Sequence, residues 1–101
     1  MTEGIYLPAD ELAPLEVREF ADFIDYQAAV GGLFDVVDLP DLAATIYVND
    51  EGLFIGLPMN ARATYLWWLC VPAALNNAFL VGDAVIIGMP DDEGNDTNLP
   101  D

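Results

Sequence analysis

The chain has 101 residues and a net charge of −16, with 18 acidic side chains against two basic ones, Arg18 and Arg62. It contains no Lys, His or Ser and a single Cys, which excludes a Ser-His-Asp triad, a lysine Schiff base, a histidine general base and a zinc site built from His and Cys. With 54% hydrophobic residues it is too apolar for a disordered acidic tail; an apolar interior under a negative surface should repel nucleic acid and anionic membranes and attract basic partners.

Residues 1–13 read as an irregular acidic lead-in. Pro14 suits a first helical turn, and from residue 15 to about 30 the apolar side chains follow a helical period, with Val17, Phe20, Phe23 and Ile24 on one arc. Glu19, Asp22 and Asp25 take the opposite arc beside Arg18, so an amphipathic helix with an acidic ridge is expected, ended by Gly31-Gly32. Residues 33–39 and 44–48 read as strands. Asn49-Asp50-Glu51-Gly52 is a turn signal, and residues 53–57 are expected to form the second arm of a hairpin with 44–48. Asn60 is a candidate N-cap for an apolar helix over 61–70, which Pro72 should stop before one short helical turn. Residues 84–87 read as a further strand.

The fold class expected is therefore α+β. An N-terminal amphipathic helix and a second apolar helix pack on one face of a three- to four-stranded, mostly antiparallel sheet. A single domain over residues 1–89 precedes an acidic tail over 90–101, which is expected to be flexible. Residues 63–82 are a run of 20 without charge, but Pro72 and Asn76-Asn77 interrupt it, so a buried helix plus a loop is expected rather than a membrane span. Glu3, Asp10 and Glu11 stand where a secretion signal would be basic, and the lone Cys70 suits a reducing compartment, so a cytoplasmic protein is expected.

Four blocks in the chain carry a resemblance. They are Gln27-Ala28-Ala29-Val30-Gly31-Gly32 with Leu33-Phe34-Asp35-Val36-Val37, then Val48-Asn49-Asp50-Glu51-Gly52, then Leu57-Pro58-Met59-Asn60-Ala61-Arg62-Ala63-Thr64, and Gly82-Asp83-Ala84-Val85-Ile86-Ile87-Gly88. In this order, over residues 27–94, the chain resembles the small domain-of-unknown-function proteins carried by phages and mobile elements, especially of actinobacteria. The resemblance implies a small cytoplasmic α+β domain and supplies no catalytic residues.

The helical ridge is the candidate site. Its acids rise about 4.5 Å per step, and Asp10, Glu11, Glu16, Glu19, Asp22, Asp25, Asp35 and Asp38 together form a candidate partner-binding face that would imitate a line of phosphates. A solvated face on an acidic protein is the plainer account. Asp91-Asp92-Glu93-Gly94-Asn95-Asp96 lacks the Gly and Glu positions of a calcium loop, so no metal or cofactor is expected. Asn60 to Thr64 reads as structural. Trp67 and Trp68 point about 100° apart on a helix, so either both are core, or one is core and the other sits at an oligomer or partner contact, with a homodimer as the expected assembly. The leading functional expectation is a non-enzymatic inhibitor from a phage or mobile element that offers a DNA-like negative surface to a basic, DNA-handling host protein. A homo-oligomeric accessory protein and a carboxylate-based or metal-dependent enzyme are the alternatives.

Overall fold

The computed structural model describes residues 2–21, 23–75 and 78–88. Five strands, β1 (Thr2–Leu7), β2 (Glu16–Phe20), β3 (Phe34–Leu39), β4 (Ala44–Asn49) and β5 (Ala84–Gly88), form one sheet in the order β2-β1-β5-β4-β3, with every neighbouring pair antiparallel. Two helices, α1 (Phe23–Val30) and α2 (Ala61–Cys70), complete an α+β architecture; the sheet has five strands rather than the three to four expected, because the lead-in and residues 16–20 pair as β1 and β2.

Alternation along the central strands builds two cores. Ala44, Ile46 and Val48 of β4 and Ala84 and Ile86 of β5 face one way, joined by Leu7 and Leu39, and take Ala63, Leu66, Trp67 and Cys70 of α2 against them. Tyr47, Val85 and Ile87 face the other way and pack with Phe20 and with Tyr26 and Ala29 of α1. The sheet therefore lies between the helices, which corrects the expectation that both pack on one face. Leu39, Ile46 and Ile87 are completely buried, and each such side chain is worth about 1.5–3 kcal/mol of apolar burial. Under α1 the packing is aromatic. Tyr26 stacks on Phe20 at 4.9 Å and meets the edge of Tyr47 at 4.5 Å, while Phe34 stacks on Tyr47 at 4.7 Å.

The first thirty residues depart most from expectation. The lead-in is the strand β1, and residues 16–20 form β2 rather than the opening of a helix. Tertiary pairing overrides the helical period here: Glu19 lies opposite Glu3 and Val17 opposite Ile5, a ladder that only the folded chain supplies. Of the four side chains expected on one apolar arc, Phe20 alone is buried; Val17, Phe23 and Ile24 are 68%, 58% and 59% exposed. The helix shrinks to eight residues. It ends as expected at the glycine pair, with Gly31 and Gly32 N–H both donating to the Gln27 carbonyl.

The hairpin expected around residues 49–52 does not form. β4 already has β3 on one side and β5 on the other, so residues 53–57 have no sheet edge to join. The Asn49 side chain diverts the chain instead. Its Nδ2 donates to the Val30 carbonyl (3.1 Å) and its Oδ1 accepts from Glu51 N–H (2.8 Å). β3 joins β4 across Pro40–Leu42, a 3₁₀ turn closed by Ala43 in the left-handed region.

Asn60 caps α2 as the sequence expects, and it does more. Its side chain has no solvent exposure. Oδ1 accepts from Ala63 N–H (3.0 Å), while Nδ2 donates to the carbonyls of Leu7 and Gly82, both at 2.9 Å. Its backbone N–H donates to Leu80 O (2.8 Å), and one turn on, Thr64 Oγ1 accepts from Leu80 N–H (2.9 Å). The end of β1, the start of α2 and the entry to β5 thus share one buried polar node. The chain fits this closely because Gly82 adopts φ +78°, where a Cβ would also sit 2.7 Å from Leu57 Cδ1. Gly4 is required for a different reason: a Cβ there would lie 2.7 Å from the Ile86 carbonyl oxygen of β5.

Asn60→Ala removes a helix cap and leaves two buried carbonyls without donors. The expected cost is roughly 2–4 kcal/mol, read as a lowered urea midpoint with unchanged denaturant slope. A variant as stable as the parent would show that the node contributes nothing.

Candidate acidic interface

The structure breaks up the acidic ridge expected on a helix. Glu16 and Glu19 lie on β2, and Asp35 and Asp38 on β3. These are the two edges of the sheet, four strand spacings or about 19 Å apart. Asp10 and Glu11 are exposed in the β1–β2 loop, where Asp10 Oδ1 accepts from Leu12 N–H (2.9 Å). Asp25 is not an outward phosphate stand-in. Its Oδ2 accepts from Ala21 N–H at 2.6 Å and fixes the entry to α1, where a carboxylate also suits the helix dipole. Asp22 lies outside the described residues, as do the tail from residue 90 and its acid cluster. Charges on exposed edge strands have a second use, since they discourage a foreign strand from pairing there.

The two cations are both occupied. Arg18 donates to both carboxylate oxygens of Glu16 at 3.1 Å, and its guanidinium carbon sits 3.9 Å from the centre of the Tyr6 ring. Both Arg18 and Glu16 are substantially exposed, so the pair adds little stability. Among the described residues Arg62 meets no carboxylate. It reaches across to the β1–β2 loop and donates to the carbonyls of Pro8 (2.8 Å), Asp10 (2.9 Å) and Ala13 (2.9 Å). The guanidinium fork holds that loop by its backbone and leaves the loop's carboxylates facing solvent. Arg18–Glu16 is the one ion pair among the described residues.

A cleft of about 410 Å³ lies beside α1, lined by Tyr6, Arg18, Ala28, Leu57, Pro58 and Asp83. Tyr6 Oη donates to Asp83 Oδ2 (2.5 Å), and Ala9 N–H donates to Asp83 Oδ1 (2.9 Å). Burial, and then the hydrogen bond and charge of Asp83, push the Tyr6 phenol up to about 12. A phenol held that far from neutrality stays protonated and serves as a donor, not as a general base. Both oxygens of Asp83 are spent on holding β1 to the entry of β5. The cleft therefore reads as a clasp. Sequence reasoning missed it because its two halves lie 77 positions apart. Among the described residues no group of three or more His, Cys, Asp or Glu side chains is placed to hold a metal ion.

The tryptophans are both half-buried. Trp67 packs on the α2-side core, while Trp68 Nε1–H donates to Ala78 O (2.8 Å) and its ring lies 5.6 Å from that of Tyr65. The helix instead exposes Leu69, at 77%. Among the described residues no helix is long and apolar enough to cross a membrane.

Tyr6 carries a pH prediction. Its folded pKa lies above the ordinary phenol value of 10, so its contribution to stability is complete below pH 10 and is lost as pH rises from 10 to about 12. The melting temperature of the wild type should fall more steeply across that window than that of Tyr6→Phe. Parallel curves would remove the clasp from the account.

No curated protein matches the chain, and no solved structure does. A family model described as Domain of unknown function (DUF3846) matches residues 1–101, and the chain belongs to that family.

Proposed function

We propose that this protein is a non-catalytic acidic binding module, made by a phage or mobile element, that occupies the basic groove of a DNA-handling host protein and so competes with DNA. The observation that carries this reading is the uncompensated charge. The chain bears 18 acids; one of its two arginines is paired with Glu16 and the other is spent on backbone carbonyls. Packing does not require that imbalance, because the two cores are apolar and aromatic. A field of one sign speeds encounter with a basic partner and excludes acidic ones.

The geometry modifies the form of the mimicry. The acids do not run along one helix; they border the sheet, with Glu11, Glu16 and Glu19 toward one edge and Asp35 and Asp38 at the other. A basic groove would embrace the module and pair Lys or Arg with both borders.

The test begins with affinity capture of basic host proteins, followed by titration of this protein into a complex of the captured partner with labelled DNA. Displacement of the DNA is expected, with affinity that falls steeply as salt rises. Replacing Glu11, Glu16 and Glu19 together by Gln should weaken binding by roughly tenfold or more without loss of fold. A partner that holds DNA and this protein at once, or that is indifferent to salt, would overturn the reading.

A further inference from the structure

The segment after β4 is a folded loop that holds apolar side chains out of the core. Asp50 N–H donates to the Leu33 carbonyl (3.0 Å), Ile55 N–H to the Glu51 carbonyl (3.1 Å) and Leu57 N–H to the Gly52 carbonyl (3.0 Å). Asn49 Oδ1 accepts from Glu51 N–H, so the start of the loop is fixed as well. The backbone is tied at both ends, yet Leu53, Phe54 and Ile55 are all exposed, Phe54 at 93%. Phe79 is half-exposed beside them. A cavity of about 180 Å³ opens here, lined by apolar groups that include Leu53, Phe54, Phe79 and Val81, with Asp35 and Asp50 among them. A cavity of about 150 Å³ is enough to hold a benzene ring.

We propose that this groove is a docking site for a basic, amphipathic segment of a partner protein. One large apolar side chain of that segment enters beside Phe54 and Phe79, and Lys or Arg residues flanking it pair with Asp35 and Asp50. Charge selects this occupant. A second copy of the chain would set one −16 charge against another, and an anionic lipid surface or nucleic acid is repelled in the same way. The fixed loop needs little ordering on binding, which is what makes a small patch effective. An aromatic anchor in a pocket with polar groups at its rim is also a common form of an interface centre. The inference rests on the basic partner proposed above and adds where that partner is gripped and what apolar group it must carry.

A displayed library of short random peptides, selected against the whole protein, tests the groove without knowledge of the partner. Enriched peptides should carry a large apolar residue between Lys or Arg residues. Their affinity should fall by about tenfold or more in Phe54→Ser and in the Asp35→Asn, Asp50→Asn double variant, and by much less in Leu69→Ser, a likewise exposed apolar position on α2. Phe54 is so exposed that Phe54→Ser should keep the parent melting temperature, and the Asn pair gives a second reading if it does not. Enrichment of purely basic peptides, with affinity indifferent to Phe54→Ser, would overturn the groove while leaving the electrostatic module standing. Failure to enrich any basic peptide would overturn both.

Discussion

Asn60 is a polar side chain with no access to water, and its amide makes three hydrogen bonds within the chain. It caps α2 through Ala63, and it donates to Leu7 at the end of β1 and to Gly82 before β5. Asp could serve as the cap but would set a carboxylate against two carbonyl oxygens. Ala would leave those carbonyls orphaned. Only an amide can offer one acceptor and two donors here. The node is also where three distant parts of the chain must agree: β1 and β5 pair because their ends converge on it, and α2 is set over the sheet from it. Thr64 and Leu80 extend the node by one turn. The left-handed backbone of Gly82, donating to the Pro58 carbonyl at 2.7 Å, lets the chain turn back into β5.

The distribution of charge follows from that arrangement. With a helix over each face, most of the described carboxylates fall on the two edge strands and in loops, Glu3 of β1 and Asp25 of α1 aside. β2 and β3 take Glu16, Glu19, Asp35 and Asp38, and the β1–β2 loop takes Asp10 and Glu11. Arg62 illustrates the economy of positive charge. Its guanidinium is bonded to three carbonyls, so it organises an acidic loop without pairing any acid on it. The two cores are apolar and aromatic, and Glu11, Glu19, Asp35 and Asp38 are exposed, where they can meet a partner.

The second half of the chain was the more legible in sequence. Asn60 and Pro72 bracket α2 as they should, because capping and proline stops are local physics that tertiary context rarely reverses. The strands β3, β4 and β5 announce themselves through β-branched runs. The first half is less legible because Val17, Phe20, Phe23 and Ile24 satisfy a helical period, while the acid Glu3 and Gly4 hide the alternation of Glu3, Ile5 and Leu7. Which period wins there depends on whether β1 finds β5, a contact between the chain's two ends that local pattern does not contain. The loop at residues 53–57 failed for a related reason: its apolar run fits a strand, but both edges of β4 are occupied. The candidate site was legible as composition and not as placement, since the list of acids was visible while their division between two edges depends on strand order. The Tyr6–Asp83 clasp and the outward-facing Phe54 had no local signal at all.

If the Asn60 node joins β1, α2 and β5 into one cooperative unit, those segments cannot open separately. Native-state hydrogen exchange measures this directly through the amides of Ala63, Leu80 and Gly82, which donate to Asn60 Oδ1, Thr64 Oγ1 and Pro58 O. All three amides should exchange only through global unfolding, with the same free energy as the central amides of β5. Exchange of Ala63 and Gly82 through a low-energy local opening, while β5 stays protected, would contradict this.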